Sequence, residues 1–86
     1  MYFVYMVRCA DGTLYTGYAR DPKAREKVHN SGQGAKYTAG RRPVALVYTE
    51  EFATVGEALS REHKLKRLPR WEKERLAAKK SATRTS

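Results

Sequence analysis

One carboxylate lies among the apolar residues of a predicted helix. The apolar stripe of that helix, at helical spacing, consists of Val55, Ala58, Leu59, Leu65 and Leu68. Glu62 falls inside the stripe, where a carboxylate loses hydration free energy unless a cation or hydrogen bonds compensate it. Helical phase alone favours the plainer interpretation, in which Glu62 lies at the stripe edge and pairs with Arg61 or Lys66. The alternative is a carboxylate that performs chemistry.

A candidate pair of residues lies on another predicted helix. Arg25 and His29 are four residues apart, so they share one helix face. An arginine and a histidine presented together can hold a phosphate and assist proton transfer. A solvated face with a surface histidine is the more common arrangement. This pair alone therefore leaves both interpretations open.

The chain is rich in tyrosine, with six in 86 residues. Three of them, Tyr5, Tyr15 and Tyr18, fall within one predicted hairpin. Buried tyrosines are usually core residues with one satisfied hydroxyl. A phenol, whose pKa is ~10, needs a nearby cation or metal to act as a base near neutral pH.

The glycine-rich segment 31–42 is predicted to be a basic loop. Its candidate nucleic-acid contacts are Lys36, Tyr37, Arg41 and Arg42. Basic side chains reach phosphates, and a tyrosine can stack on an exposed base. A mobile, solvated loop is the alternative, but the charge of the whole chain favours nucleic-acid contact.

Composition narrows the class of protein. Eighteen Lys+Arg against nine Asp+Glu give a net charge of +9, which favours nucleic acid as partner and an anionic membrane surface second. With 41% hydrophobic and 31% charged residues, a disordered chain is excluded. A membrane span is excluded because no apolar run approaches ~18 residues. The single cysteine, Cys9, excludes disulfide scaffolds and zinc fingers; with no signal peptide visible, we expect a cytoplasmic protein.

Turn and capping signals divide the chain into six elements in the order β-β-α-β-α-α, an α+β fold. The predicted strands are 3–8, 13–18 and 44–48, and the predicted helices are 22–30, 55–67 and 70–80. In the last helix we expect Trp71 and Leu76 to point inward. Residues 1–80 form one domain, and the tail 81–86 is predicted to be disordered.

The length of the hairpin loop decides which tyrosines share a face. A two-residue Asp11-Gly12 turn would place Tyr5 and Tyr15 on opposite faces. A three-residue loop with left-handed Gly12 would pair Tyr5 with Gly17. Tyr5 and Tyr15 would then lie diagonally on one face, roughly 7 Å apart at the backbone. The residues alone permit both.

Together these residues resemble the GIY-YIG nuclease domain. The resemblance rests on Phe3-Val4-Tyr5, on Tyr15-Thr16-Gly17 ten residues later, and then on Arg25, His29 and Glu62. It covers about residues 2–68. The tracts Asp-Gly-Thr-Leu-Tyr-Thr-Gly, His-Asn-Ser-Gly and Gly-Ala-Lys-Tyr-Thr resemble the small stand-alone bacterial members in particular.

The resemblance implies a three-stranded antiparallel sheet flanked by helices, and phosphodiester hydrolysis assisted by one divalent metal. Tyr5 and Tyr15 match the motif tyrosines, one of which would activate or position the attacking water. Arg25 matches an arginine that stabilises the pentacovalent phosphate, and His29 a helper that shuttles a proton or binds phosphate. Glu62 matches the single metal-binding carboxylate, for Mg²⁺ or Mn²⁺; a lone carboxylate suffices because Mg²⁺ keeps several waters.

The same resemblance implies further features of the hairpin. Gly17 would leave space for the scissile phosphate, and the three-residue loop is favoured because both tyrosines must reach one site. Some family members carry a lysine three residues after the second motif tyrosine. This chain has Tyr18 there, so His29 or solvent would take over that proton transfer.

The function that follows is a metal-dependent endonuclease acting on DNA. The alternatives are a non-catalytic nucleic-acid-binding module and an accessory subunit that cuts only with a protein partner. The surfaces available for targeting are the loop 31–42 and the basic third helix, with Arg70, Lys73, Arg75, Lys79 and Lys80. For the helix, a solvated face and a DNA contact are equally good interpretations.

Overall fold

The computed structural model describes residues 1–79, so the predicted tail 81–86 and the last residue of the predicted domain lie outside it. The strands are β1 (Tyr2–Arg8), β2 (Leu14–Ala19) and β3 (Ala45–Phe52). The helices are α1 (Pro22–Asn30), α2 (Lys36–Ala39), α3 (Val55–Lys66) and α4 (Arg70–Ala78). Among residues 1–79, no helix has both the length and the apolar character needed to cross a bilayer.

The three strands form an antiparallel sheet in the order β2-β1-β3, as predicted. In the β1–β2 hairpin, Tyr5 pairs with Gly17, and the Cys9 amide donates to the Thr13 carbonyl at 2.8 Å. Gly12 has a φ of +88°, in the left-handed region. The three-residue loop is therefore confirmed, and it puts Tyr5 and Tyr15 on the same face.

Each face of the sheet buries a different set of side chains, because successive strand residues point to opposite sides. Val4 and Met6 belong to an apolar core with Ala58 and Leu65 of α3 and Ala77 of α4. On the other face, Tyr5, Val7, Cys9 and Val44 form a second buried cluster, against which Tyr15 packs. The site residues of the hairpin belong to this second face.

Helix α1 is anchored to β3 by two side chains. Asn30 donates to the Val44 carbonyl at 2.9 Å and accepts from the Val44 amide at 2.7 Å. Glu26 accepts from the Leu46 amide at 2.8 Å, beside an irregularity where β3 slips in register against β1. Because residues 26 and 30 hold the sheet, the neighbouring face of α1 with Arg25 and His29 has a fixed orientation.

Two helical predictions need correction. Trp71 is 65% exposed and does not point inward, whereas Leu76 packs against the apolar core as expected. In α3, Val55 and Leu59 are 39% and 45% exposed, so the predicted stripe is buried only at Ala58, Leu65 and in part Leu68. The sheet has three strands, which is too narrow to cover every apolar residue of both helices.

The third strand and the loop 31–42 also differ from expectation. β3 continues through Thr49-Glu50-Glu51 to Phe52. The predicted strand ended before these residues because they are polar. In the structure they pair with the first half of β1. Within the loop, residues 36–39 form the short helix α2. The sequence did not predict this helix, because glycines flank it on both sides.

Candidate active site

All five residues predicted to be catalytic line one cleft of about 380 Å³ at the edge strand β2: Tyr5, Tyr15, Arg25, His29 and Glu62. Gly17 and Tyr18 also line it, as do residues 33–35, which follow α1. β1 and β2 supply the tyrosines, α1 the arginine and histidine, and α3 the carboxylate. The fold thus brings together residues that are up to 57 positions apart in the chain.

A buried hydrogen-bonded chain forms the inner wall of the cleft. The Tyr5 hydroxyl lies 2.8 Å from His29 Nε2, and His29 Nδ1 lies 2.8 Å from Thr38 Oγ1. Tyr5 and His29 are each 2% exposed, and Thr38 is fully buried. Because all three side chains have partners, burying them costs little free energy. Of the two interpretations left open for His29, the solvated surface histidine is therefore wrong.

The Thr38 hydroxyl has two acceptors within reach, and its choice is coupled to the tautomer of His29. Thr38 Oγ1 lies 2.9 Å from the Ala35 carbonyl as well as 2.8 Å from His29 Nδ1. When the hydroxyl donates to the carbonyl, Nδ1 carries the proton and donates to Oγ1. Nε2 is then free to accept from Tyr5. The longer contact from the Ala35 amide to Nδ1, 3.4 Å, fits the opposite tautomer.

Burial favours the neutral forms of both the tyrosine and the histidine. Desolvation, with repulsion from Tyr15, raises the pKa of Tyr5 to about 12, although the Arg25 guanidinium opposes the rise. Tyr5 is consequently a neutral phenol at pH 7. Desolvation also lowers the pKa of His29, and Arg25 lowers it further. His29 is consequently neutral at pH 7 and available as a proton acceptor.

Two glycines make room for this chain of side chains. A Cβ on Gly17 would lie 2.6 Å from the Tyr5 hydroxyl. The absence of a side chain at Gly17 therefore makes room for the Tyr5 phenol, and Gly17 also lines the cleft. That Gly17 leaves space for the scissile phosphate stays a prediction. A Cβ on Gly34 would lie 2.9 Å from the His29 Cα and against the imidazole ring. Only glycine fits at either position without displacing a site residue.

Two charged residues line the cleft, Arg25 and Glu62. Arg25 is exposed and forms no ion pair with any carboxylate of residues 1–79. The Glu62 side chain is only 18% exposed, and its Oε2 lies 3.2 Å from the Lys66 ammonium. The ion pair with Lys66 anticipated by the plainer interpretation is therefore formed, while Glu62 still lines the cleft. The Lys66 ammonium also lies 6.0 Å from the centre of the Tyr15 ring.

The donor set fits a hard divalent cation held mainly by substrate and water. Residues 1–79 contain no group of three or more His, Cys, Asp or Glu side chains that could hold a metal on their own. Glu62 offers one carboxylate, of which only Oε2 is paired. Mg²⁺ binds protein sites through one or two carboxylates and keeps waters or phosphate oxygens for the rest. A single carboxylate beside a phosphate-sized cleft meets that requirement.

The predicted nucleic-acid residues of the loop 31–42 lie outside the cleft. Tyr37 stacks with Tyr15, with ring centroids 5.7 Å apart, and the Arg41 guanidinium lies 4.0 Å from the Tyr37 centroid. Arg41 also bonds Asp11 at 3.0 Å, and Arg42 donates to the Ala39 carbonyl at 2.8 Å. Both arginines therefore hold the loop in place, and Lys36 remains exposed.

Sequence reasoning missed Thr38 and Gly34. Both lie in the glycine-rich segment, where a loop was expected to contribute only charged and aromatic contacts. The available signal was the tract Gly-Ala-Lys-Tyr-Thr, residues 34–38. It contributed to the family resemblance, but no role was assigned to its first and last residues. Their function depends on a contact with His29 that the spacing along the chain does not reveal.

Comparisons with known proteins give matches over most of the chain. The family model of the GIY-YIG catalytic domain matches residues 1–75. UPF0213 proteins of Staphylococcus aureus strains Mu3 and USA300 are each 59% identical over 75 residues, covering 87% of this chain and 92% of those proteins. A UPF0213 protein from Bacillus halodurans, solved by solution NMR, is 45% identical with a TM-score of 0.59. That match covers 96% of this chain and 89% of the other. A second NMR structure, of an E. faecalis protein, is 46% identical with a TM-score of 0.58, covering 86% and 79%.

Proposed function

The chain belongs to the GIY-YIG catalytic-domain family, and on that basis we propose that it is a metal-dependent nuclease that hydrolyses phosphodiester bonds in DNA. The observation that carries the proposal is the convergence of three features in one cleft. These are the buried Tyr5–His29 hydrogen bond, the exposed Arg25 without an ion pair in residues 1–79, and the carboxylate of Glu62.

Arg25 binds the scissile phosphate in this proposal. Its guanidinium presents a planar fork of donors to two phosphate oxygens and keeps its charge at every relevant pH. Because no carboxylate of residues 1–79 competes for it, Arg25 can follow the charge that accumulates on the phosphate in the transition state. Helix α1 holds it in position through Glu26 and Asn30.

Tyr5 and His29 move the proton of the attacking water. The water oxygen bonds to phosphorus as one of its protons passes to the Tyr5 oxygen. The original Tyr5 proton passes at the same time to His29 Nε2, 2.8 Å away, and leaves an imidazolium. The bond between phosphorus and one ester oxygen breaks, and that oxygen takes a proton from solvent. Tyr5 thus never has to exist as a free phenolate, which its pKa of about 12 would make costly.

Glu62 supplies the ligand for a divalent cation, Mg²⁺ or Mn²⁺. Such a cation, when bound, supplies Lewis acidity that stabilises negative charge on the phosphate oxygens. Lys66 holds the carboxylate in place when the cation is not bound, because its ammonium pairs with Oε2. Tyr15 packs edge-on against the His29 ring at 5.3 Å and so fixes the orientation of the imidazole.

DNA is the proposed substrate because a net charge of +9 on 86 residues attracts a polyanion from a distance. The charge favours nucleic acid in general, and the GIY-YIG resemblance favours DNA over RNA. We propose that the protein acts in the cytoplasm. We also propose that a protein partner directs it to its cleavage sites, because its own basic surface is too small to select them.

The test is a cleavage assay with labelled duplex, flap, branched and single-stranded DNA in Mg²⁺ or Mn²⁺. Wild type is compared with Glu62→Gln and with the matched control Glu57→Gln, which changes an exposed glutamate of the same helix. We expect wild type and Glu57→Gln to cleave at equal rates and Glu62→Gln to be slower by at least about a hundredfold.

Each other outcome has a definite meaning. Cleavage by all three proteins would indicate a contaminating nuclease and contradict the assignment of Glu62. No cleavage by any of them, with salt-sensitive DNA binding retained, would favour a binding module or an accessory subunit over a nuclease that acts alone.

A further inference from the structure

A second cleft, of about 250 Å³, lies beside the candidate active site. We call it the lateral cleft, and its lining residues are Thr13, Leu14, Tyr37, Arg70 and Lys73. Leu14 directly precedes Tyr15 in β2, and Tyr37 stacks with Tyr15 at an angle of 28° between the rings. Because Tyr15 lines one cleft and Tyr37 the other, the ring pair forms the wall between them.

The lateral cleft carries a net positive charge, although two carboxylates lie close to it. One of them, Asp11, accepts from the Thr13 hydroxyl at 2.7 Å and is paired with Arg41 at 3.0 Å. No carboxylate is among its lining residues, and Lys73 forms no ion pair within residues 1–79. Arg70 donates to the Gly12 carbonyl at 3.1 Å and lies 3.6 Å from Glu74. Glu74 is itself held by both terminal nitrogens of Arg8, at 2.6 and 2.8 Å. The negative charge of Glu74 is thus shared between Arg8 and Arg70, and the lateral cleft remains cationic.

A larger cleft elsewhere on the molecule shows that this charge is not a general property of the surface. That cleft, of about 440 Å³, is lined in part by Glu57, Arg61 and Lys64. Arg61 is paired with Glu50 at 2.8 Å, and Glu57 contributes a negative charge beside Lys64. The larger cleft is therefore close to neutral, although both clefts are lined by helix lysines.

We infer that the lateral cleft binds the sugar-phosphate backbone of the nucleic-acid strand whose neighbouring phosphate lies in the candidate active site. This inference rests on the proposed function. Lys73 and Arg70 contact phosphate oxygens, while Leu14 and the edge of the Tyr37 ring pack against the sugar. The two faces of that ring are already covered by Tyr15 and Arg41. The strand then runs from Arg25 across the Tyr15–Tyr37 ring pair to helix α4.

The experiment measures binding without cleavage, by fluorescence anisotropy of labelled oligonucleotides in EDTA. Lys73→Gln is compared with Lys64→Gln, which removes the same charge from the near-neutral cleft. We expect Lys73→Gln to bind roughly fivefold more weakly, with a slope of log K against log salt that is shallower by about 1. Lys64→Gln retains wild-type affinity and slope. Equal affinity and slope for the two variants would overturn the inference.

A second measurement on the wild-type protein needs no substitution. In a titration of ¹⁵N-labelled protein with a short oligonucleotide, the amides of Leu14 and Lys73 shift together with that of Arg25, and those of Glu57 and Lys64 do not. Shifts confined to the Arg25 side would contradict the lateral cleft. Neither measurement involves cleavage, so the two proposals can fail separately. A protein that binds nucleic acid in the lateral cleft but never cleaves it would refute the proposed nuclease activity and support the inference about the cleft.

Discussion

The two faces of the sheet bury their residues in opposite ways. Towards α3 and α4, strand β1 presents Val4 and Met6 to an almost wholly apolar core. Towards α1 and α2, the same strand presents Tyr5, whose hydroxyl bonds to the buried His29. One strand thus serves a face that stabilises the fold by apolar burial and a face that holds polar groups in fixed positions.

Two buried threonines show how the difference arises. Thr38, on the α1 side, is fully buried, and its hydroxyl contacts both His29 and the Ala35 carbonyl. Thr16, in β2 between Tyr15 and Gly17, is 3% exposed and faces the apolar side, where Oγ1 has no hydrogen-bond partner among the described residues. The polar face is paired group by group, and the apolar face tolerates one unpaired hydroxyl. The buried polar groups at the candidate site are therefore held by specific hydrogen-bond partners.

The largest effect is expected from Tyr5→Phe, which removes only the hydroxyl of the polar face. Cleavage should fall by roughly 10²–10⁴-fold, because the water loses its proton path to His29. The free energy of unfolding should fall by only about 1 kcal/mol, since the ring still fills its place while Nε2 loses a partner. Single-turnover cleavage and urea unfolding measure the two quantities. An undiminished cleavage rate would remove Tyr5 from the mechanism.

Leu65→Ala should give the opposite pattern on the apolar face. Leu65 is fully buried, so its truncation should lower the free energy of unfolding by about 2–5 kcal/mol. Under conditions where the variant is folded, its cleavage rate should equal that of wild type. Leu59→Ala, at a position of the same helix that is 45% exposed, is the control and should change stability by less than about 0.5 kcal/mol. A large loss of cleavage in folded Leu65→Ala would mean that the two faces are not separable.

Gly34→Ala tests how tightly the polar face is packed. The added methyl would meet the His29 backbone and ring, which α1 holds in place, so stability should fall by about 1–3 kcal/mol and cleavage with it. Gly40→Ala is the matched control, because a Cβ there has no neighbour within 4 Å and its φ is −92°. Thermal melts of both variants measure the difference. Equal melting temperatures would contradict the described contact between Gly34 and His29.

The smallest effect is expected from Thr16→Val. Replacing the unpaired hydroxyl by a methyl group of the same shape should raise the free energy of unfolding by about 1 kcal/mol. The cleavage rate should stay unchanged, because the residue faces away from the candidate site. Chemical denaturation of wild type and variant is sufficient. A destabilised variant would show that the Thr16 hydroxyl has a partner after all.

Much of the fold follows from local signals in the sequence. Asp21 caps α1 by accepting from the Ala24 amide at 3.1 Å, and Thr54 caps α3 by accepting from the Glu57 amide at 3.2 Å. These interactions span three residues, so the sequence reveals them. The extension of β3 through Glu50 and the short helix α2 depend on partners elsewhere in the chain, and the sequence pattern gives no sign of them.

The candidate site was predictable in its residue types but not in its contacts. Tyr5, Arg25 and Glu62 were found from their spacing and the family resemblance, and all three line the cleft. The burial of His29 and its bond to Thr38 were not found, because α1 is mostly polar and a histidine on such a helix is usually solvated. Likewise, the pairing of Tyr5 with Gly17 was predicted, but the close approach of the Tyr5 phenol to Gly17 was not.

The central claim is that His29 accepts the Tyr5 proton, and the nitrogen chemical shifts of the His29 ring across pH test it most directly. In wild type we expect one neutral tautomer, with the proton on Nδ1, that persists below pH 6.5 because burial and Arg25 lower the pKa. The cleavage rate should accordingly fall only as pH drops through that lowered pKa. Thr38→Val should mix the tautomers, and Thr38→Ser should restore the single form. A proton on Nε2 in wild type would contradict the account, since His29 would then donate to Tyr5 and could not accept from it.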